Sequence, residues 1–210
     1  MGAKVPKQFL LVQGLPLLMH TLNNIHKVLP KADLVLTLPQ SSLSYWKELC
    51  QDHNFNLNHT LVPGGETRFH SVQNGLNALP NNIDWVGIHD GVRPFVSQRM
   101  ILDLFQAARE DGGAIPVLPV NFSLRKKSEQ GSRALDREGV LEVQTPQVFN
   151  KSLLIQAFQK GFQPHFTDEA SVWEADGREV RLVQGEHFNR KITVGEDLDW
   201  ARYFVDKDLI

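Results

Sequence analysis

The stretch Asp84 to Pro94, DWVGIHDGVRP, decides how the chain is read. Trp85 to Ile88 has the short apolar character of a buried strand, and it runs straight into His89, Asp90 and Arg93, a polar cluster broken by Gly91 and closed by Pro94. In an open α/β sheet, ligands sit in the crevice outside the carboxyl ends of the strands, so polar side chains packed at a strand's exit point to chemistry. Asp90 is therefore the first candidate metal ligand. The ordinary alternative is that Asp90 and Arg93 only pair with each other or cap the turn, and what decides between the two is the rest of the chain.

Upstream, residues 1–8 (MGAKVPKQ) read as a loop, and Leu15, Leu18, Met19, Leu22, Ile25 and Leu29 recur at helical spacing with Pro16 in the first turn. Asp33 to Leu38 reads as a strand, followed by a helix capped by Ser41 or Ser42 and running through His53. Asn58 to Pro63 is another strand, Gly64 and Gly65 lead a turn, and Val72, Leu76 and Leu79 mark a helix. Downstream, Ser97 caps a helix carrying Met100, Ile101, Leu104, Phe105 and Ala108, and Gly112-Gly113 stops it before a strand over Ala114 to Val120.

Residues 121–140 interrupt this rhythm, with Arg125, Lys126, Lys127, Arg133 and Arg137 and little apolar periodicity, so they read as an arm that supplies no core face. Leu141 to Gln147 returns as a strand. Helices follow over Lys151–Lys160 and Asp168–Ala175, then strands over Val180–Val183 and Lys191–Val194 and a closing helix from Glu196 to Val205. Strands alternating with helices of this length imply right-handed crossovers, a largely parallel sheet covered on both faces, and a mixed edge where the late strands return. The expected organisation is a single domain over residues 1–210.

A chain of 210 residues with 41% hydrophobic residues can bury a full core. Its formal net charge of -2 argues against broad binding to nucleic acid or to a membrane, so an anionic ligand has to be held by a few positioned cations. Cys50 is the sole cysteine, which excludes an intrachain disulfide and suits a reducing cytoplasm. Neither a signal peptide nor an apolar run of ~18 residues is present.

Three further clusters fall where strands hand over to the next element. Lys4 and Lys7 flank Pro6, on a short stiff segment. Gly64, Gly65, Glu66, Arg68 and Ser71 form a turn in which glycines admit close backbone approach, with Glu66 as an acceptor and Ser71 as a donor. Asn189, Lys191 and Thr193 alternate onto one face of the late strand. Each is unremarkable alone, since a lysine is usually solvated, glycine pairs are common in turns, and a strand-edge lysine often serves only to keep edges apart. Together, Lys7, Asp90, Arg93 and Lys191 combine a carboxylate with cations suited to neutralising phosphates in phosphoryl or nucleotidyl transfer. No nucleophile and base pair stands out, which disfavours a covalent mechanism.

The ordered series PKQF (6–9), GGETRFHSVQNGL (64–76), HDGVRP (89–94), LDR (135–137), QTPQVF (144–149), TDEASV (167–172) and KIT (191–193) resembles the 2-C-methyl-D-erythritol 4-phosphate cytidylyltransferase family. The ribitol 5-phosphate cytidylyltransferases share PKQF, HD-x-x-RP and TPQ, but SVQNGL, LDR and TDEAS fit the methylerythritol family better. The resemblance implies a Rossmann-like nucleotidyltransferase fold with a protruding dimerisation arm, and transfer of a cytidylyl group from CTP to a sugar-alcohol phosphate in isoprenoid synthesis, with magnesium or another divalent cation. It assigns cytosine reading to Gly65, Glu66 and Ser71, and the nucleotide phosphates and transition state to Lys7 and Lys191. Asp90 falls to the metal and the sugar hydroxyls, with Arg93, Thr145, Thr167 and Thr193 around the substrate. Ser123 and Arg137 would hold the sugar phosphate in the partner subunit of a homodimer.

The sequence departs from the family at Phe122 and Phe188, where acids are expected, while Ser123 for threonine keeps the hydroxyl. Family members also carry an apolar strand and a loop of the form A-G-G-x-G-x-R-M-G just before PKQF, and here Met1-Gly2 coincide with its end. The chain as given is therefore expected to lack a central strand and the triphosphate loop, and to be an inactive remnant unless extended upstream.

Overall fold

The computed structural model describes residues 5–193 and 195–206. In chain order, β1 (Leu11–Val12) and β2 (Leu15–Pro16) form a short antiparallel pair before α1 (Leu17–Val28), followed by β3 (Val35–Leu38), α2 (Leu43–Asp52) and β4 (Thr60–Pro63). Next come α3 (Arg68–Asn77), β5 (Trp85–Ile88), α4 (Gln98–Asp111) and β6 (Gly113–Pro119). The remainder is β7 (Leu124–Ser128), β8 (Gly131–Leu135), β9 (Leu141–Val143), β10 (Gln147–Asn150), α5 (Lys151–Phe158), α6 (Glu169–Ala175), β11 (Arg181–Gln184) and α7 (Gly195–Asp206).

This is an α/β fold whose strands mostly run one way. The larger sheet has the order β11-β6-β10-β5, with β9 also on β6. β11 is parallel to β6, and β5 and β6 share a direction because both pair antiparallel with β10; the short β9 is also reversed. β3 and β4 form a separate parallel pair. Lys151 N–H donates to Asp84 C=O, which sets the phase of the β5–β10 ladder so that Val86 and Ile88 turn their polar backbone to β10 while Trp85 and Gly87 turn theirs away. By the same logic Leu36 and Leu38 face β4, and Val35 and Thr37 face outward. Among the described residues no strand pairs with either of these free edges.

Two helices join the β3–β4 half to the β5–β10 half. Leu18, Met19 and Leu22 of α1 pack with Leu36, Leu38 and Trp46, while Ile25 and Val28 on its later turns pack beside Val96, Leu104 and Trp85. Phe69 and Leu76 of α3 pack with Phe149 and Phe158 and against Val86 and Ile88. The apolar stripes read at helical spacing are the faces that make these contacts.

Helix ends follow local chemistry. The Ser97 side chain accepts from Met100 N–H, Gly112 ends α4 in the left-handed region at φ +87°, and Asp168 and Ser171 form a reciprocal cap on α6. Other expectations are corrected. Pro16 precedes α1 instead of lying in its first turn, and α2 follows a 3-10 turn at Gln40–Ser42 without a serine side-chain cap. Residues 191–193 are not a strand; Ile192 N–H bonds to Val92 C=O as an isolated link, and Val194 lies outside the described residues, as do Lys4 and the Met1-Gly2 join. Residues 121–140 contain the β7–β8 hairpin, in which Leu124 alone is partly buried. Among the described residues no helix is long and apolar enough to cross a membrane.

Candidate active site

The site gathers at the carboxyl ends of β4 and β5. Asp90 lies two residues beyond the end of β5, and its Oδ2 accepts from Arg93 Nε at 3.1 Å and lies 3.1 Å from Lys191 Nζ. The within-turn pair thus exists, but it is only half of the arrangement, because a cation far along the chain closes on the same oxygen. Arg93 is buried and also donates through Nη1 to the Asn189 carbonyl at 2.7 Å, so it serves as a fixed strut. Lys191 is 42% exposed against 16% for Asp90, which leaves the lysine reachable by a ligand. Burial would raise the Asp90 carboxyl, but Lys191 and Arg93 together outweigh it and hold it below the ordinary carboxylate value.

Around this cluster the backbone is pinned. Asp90 N–H donates to Thr145 Oγ1 at 3.0 Å, that oxygen lies 2.9 Å from His89 Nδ1, and His89 Nε2 lies 2.9 Å from the Arg93 carbonyl. Asn189 is fully buried and donates from Nδ2 to the Thr145 carbonyl at 2.7 Å. The His89 ring is lowered to about 4, burial being the main cause, so the neutral ring occupies this position.

The base-reading candidate is the turn after β4. Gly65 N–H donates to Ser71 Oγ at 3.1 Å, and the Ser71 hydroxyl itself donates to the Thr67 carbonyl at 2.9 Å. The expectation that Ser71 offers a donor is corrected; its one proton is used inside the turn, and what remains is an acceptor. A Cβ on Gly65 would lie 2.4 Å from His70 Cβ, so this position requires glycine for close packing. Arg68, in the first turn of α3, makes a two-pronged ion pair with Glu169 of α6, through Nη1 to Oε1 and through Nη2 to Oε2 at 2.7 Å. Glu169 is 1% exposed, and its carboxyl is raised by burial in spite of Arg68. Gln147 in turn bonds Asp168 and the Ala170 N–H, tying α6 to β10.

The other sequence candidates are scattered. Lys7 sits exposed in a 3-10 turn and makes no hydrogen bond or ion pair with Asp90 among the described residues, and Thr167 is exposed at the start of the α6 cap. Thr193 spends its hydroxyl on Asp197 Oδ2 at 2.9 Å, which removes its proton from ligand binding. Thr193 and Lys191 do not share a strand face with Asn189, because no strand forms and Asn189 is buried while the other two are exposed. Ser123 and Arg137 lie on the exposed arm, where Arg137 Nη1 donates to the Asn121 carbonyl. Sequence reading misses the Arg68–Glu169 strut and the His89–Thr145 link. The R of GGETRFHS and the E of TDEAS are the available signals, but their pairing spans 101 residues.

As for a metal, no group of three or more His, Cys, Asp and Glu that could hold one exists among the described residues. The donor set is one carboxylate, Asp90, with Phe188 where a second acid is expected. Such a set fits an ion that takes most of its oxygens from ligand phosphates and water, as magnesium does, and does not form a cage by itself.

A profile of the 2-C-methyl-D-erythritol 4-phosphate cytidylyltransferase family matches residues 1–207. A protein of that name from Bacteroides fragilis is 49% identical over 201 residues, covering 96% of this chain and 91% of its own length. One from Phocaeicola vulgatus is 45% identical over 205 residues, 98% of this chain and 93% of its own. Among solved structures, the 2-C-methyl-D-erythritol 4-phosphate cytidylyltransferase of Thermus thermophilus superposes with a TM-score of 0.81 at 33% identity, over 96% of this chain and 94% of that one.

Proposed function

The chain belongs to the 2-C-methyl-D-erythritol 4-phosphate cytidylyltransferase family, and from that premise we infer that it transfers a cytidylyl group from CTP to 2-C-methyl-D-erythritol 4-phosphate, releasing pyrophosphate, as a step of isoprenoid synthesis. A phosphate oxygen of the sugar alcohol attacks the α-phosphorus of CTP in line; the new P–O bond forms as the bond to the β-phosphate oxygen breaks. The observation that carries the reading is the Asp90, Arg93 and Lys191 cluster at the exit of β5, beside the glycine turn at the exit of β4.

Within that reading each residue has a physical task. Lys191, reachable and held by Asp90, offsets the charge that grows on the transferring phosphate, and Lys7 does the same for the rest of the nucleotide. Arg93 and Asp90 fix the position of Lys191 and face the substrate hydroxyls. Thr145 meets the substrate next to them, with Thr167 at the α6 cap and Thr193 beside Lys191. Gly65, Glu66 and Ser71 receive the base. Glu66 and the remaining lone pair of Ser71 are both acceptors, which suits the exocyclic amino group of cytosine and opposes the carbonyl that uracil carries there. A divalent cation, with magnesium the natural candidate and Asp90 its one protein carboxylate, would supply charge neutralisation at the triphosphate.

A homodimer and a cytoplasmic home complete the proposal. The arm and the strand beside it expose Phe122 (79%), Leu135, Leu141 and Val143, apolar area that a second copy could cover, and Ser123 and Arg137 on the same arm would then reach the partner's site. The lone Cys50 suits a reducing compartment.

Calorimetric titration of the full-length gene product with CTP and UTP tests the base reading. CTP should bind about tenfold tighter or more, and Glu66→Ala should erase most of that preference. Equal binding of both nucleotides would contradict it.

A further inference from the structure

The Thr145 hydroxyl serves two neighbours that ask different things of it. It accepts from Asp90 N–H at 3.0 Å and lies 2.9 Å from His89 Nδ1. The other ring nitrogen, Nε2, is 2.9 Å from the Arg93 carbonyl oxygen, which can only accept. Nε2 therefore carries a proton; the buried Thr145 hydroxyl has no other acceptor for its own proton among the described residues, so it donates to Nδ1, which must be bare. The opposite tautomer would set a bare Nε2 against a carbonyl oxygen and an N–H against Thr145. Thr145 could then no longer offer its proton to the ring.

We propose that His89 is a positioning residue: as the Nε2–H tautomer it fixes the direction of the Thr145 hydroxyl and, with it, the Asp90 amide and the Arg93 carbonyl, so that the turn aims Asp90, Arg93 and Lys191 at the reacting phosphate. This rests on the cytidylyl-transfer reading above. His89 touches both ends of the turn, at Thr145 beside residue 90 and at the carbonyl of residue 93, and the turn's side chains share one oxygen with Lys191. A rotation of the turn would carry the whole charge cluster with it.

Two measurements on the full-length gene product decide the matter. Long-range 1H–15N correlation with 15N-histidine labelling, with His89 assigned by its loss in His89→Asn, should show a neutral Nε2–H ring at pH 7. A neutral Nδ1–H ring or a charged ring would overturn the proposal. In steady-state kinetics, His89→Asn retains an acceptor near Nδ1 and loses the donor, whereas His89→Gln retains a donor near Nε2 and loses the acceptor. Each should lower kcat between about tenfold and a hundredfold. The KM for CTP should move by less than about threefold, because no hydrogen bond joins the base-reading turn to His89 or Thr145 among the described residues. Thr145→Val combined with His89→Asn should lose little more than the worse single variant. A purely structural histidine would lower the folded fraction and leave kcat per folded molecule unchanged; that result, or additive losses, would overturn the role. Wild-type protein that fails to turn over at all would overturn the reaction instead, and the tautomer would still decide the geometry.

Discussion

Asp90 is where the chemistry of this chain is most concentrated, and the residues around it differ in how visible they are from sequence. A carboxylate and an arginine just past a buried strand can be read, because a strand's exit in an α/β sheet is a place with few structural reasons for charge. Lys191 can be grouped with them as a cation at a later strand's hand-over, but its contact with Asp90 cannot be read, since the two lie so far apart along the chain. His89 can be read as part of that polar cluster, but its link to Thr145 cannot, because it depends on a partner 56 residues away, and the Arg68–Glu169 pair cannot because burial of Glu169 to 1% exposure is a tertiary fact. His89 also makes stability depend on pH. Its ordinary value of 6.5 falls to about 4, mainly through burial, so between those values the unfolded chain binds a proton that the folded chain refuses. The contribution is complete above pH 6.5 and is lost as the pH falls toward 4, amounting to up to roughly 3 kcal/mol. Urea unfolding at about pH 7.5, 5.5 and 4.5 should show that loss in the wild type and a flatter profile in His89→Asn. Equal slopes in the two proteins would refute the assignment.

The elements are legible wherever a local rule governs them. The caps of α4 and α6 and the Gly112 stop follow from Ser97, Asp168 and Gly112, and the apolar stripes of α1 and α4 follow from their spacing. Residues 189–193 mislead because alternating polarity imitates a strand, whereas here Asn189 is buried for its bonds to Thr145 and Arg93, and Thr193 turns to Asp197. The phase that leaves Trp85, Gly87, Val35 and Thr37 with outward backbone groups cannot be seen without the ladder itself. The β7–β8 hairpin is the element with the clearest prediction. It is too exposed and too basic to serve its own core, so light scattering should find a dimer, and weakening the arm with Phe122→Ser should shift it toward monomer. Mixing an Arg137→Ala chain with a Lys191→Ala chain should restore activity, because one mixed site would hold both wild-type residues. No recovery on mixing would mean that each site is built within one chain.

Across the whole molecule, a formal charge of -2 coexists with a site that collects Arg93, Lys191 and Arg68 near Asp90. Such a protein holds an anionic substrate through a few fixed cations and not through a general basic field. The two strand exits are held in one frame, since α3 begins at the glycine turn after β4, packs against β5, and is clamped to α6 by Arg68 and Glu169. Pyrophosphate release by the full-length gene product measures the reaction itself. With CTP, magnesium and 2-C-methyl-D-erythritol 4-phosphate, release should be rapid, and Lys191→Ala should slow it on the order of a hundredfold or more. Release with ribitol 5-phosphate and none with 2-C-methyl-D-erythritol 4-phosphate would mean that the chain acts on a different sugar-alcohol phosphate.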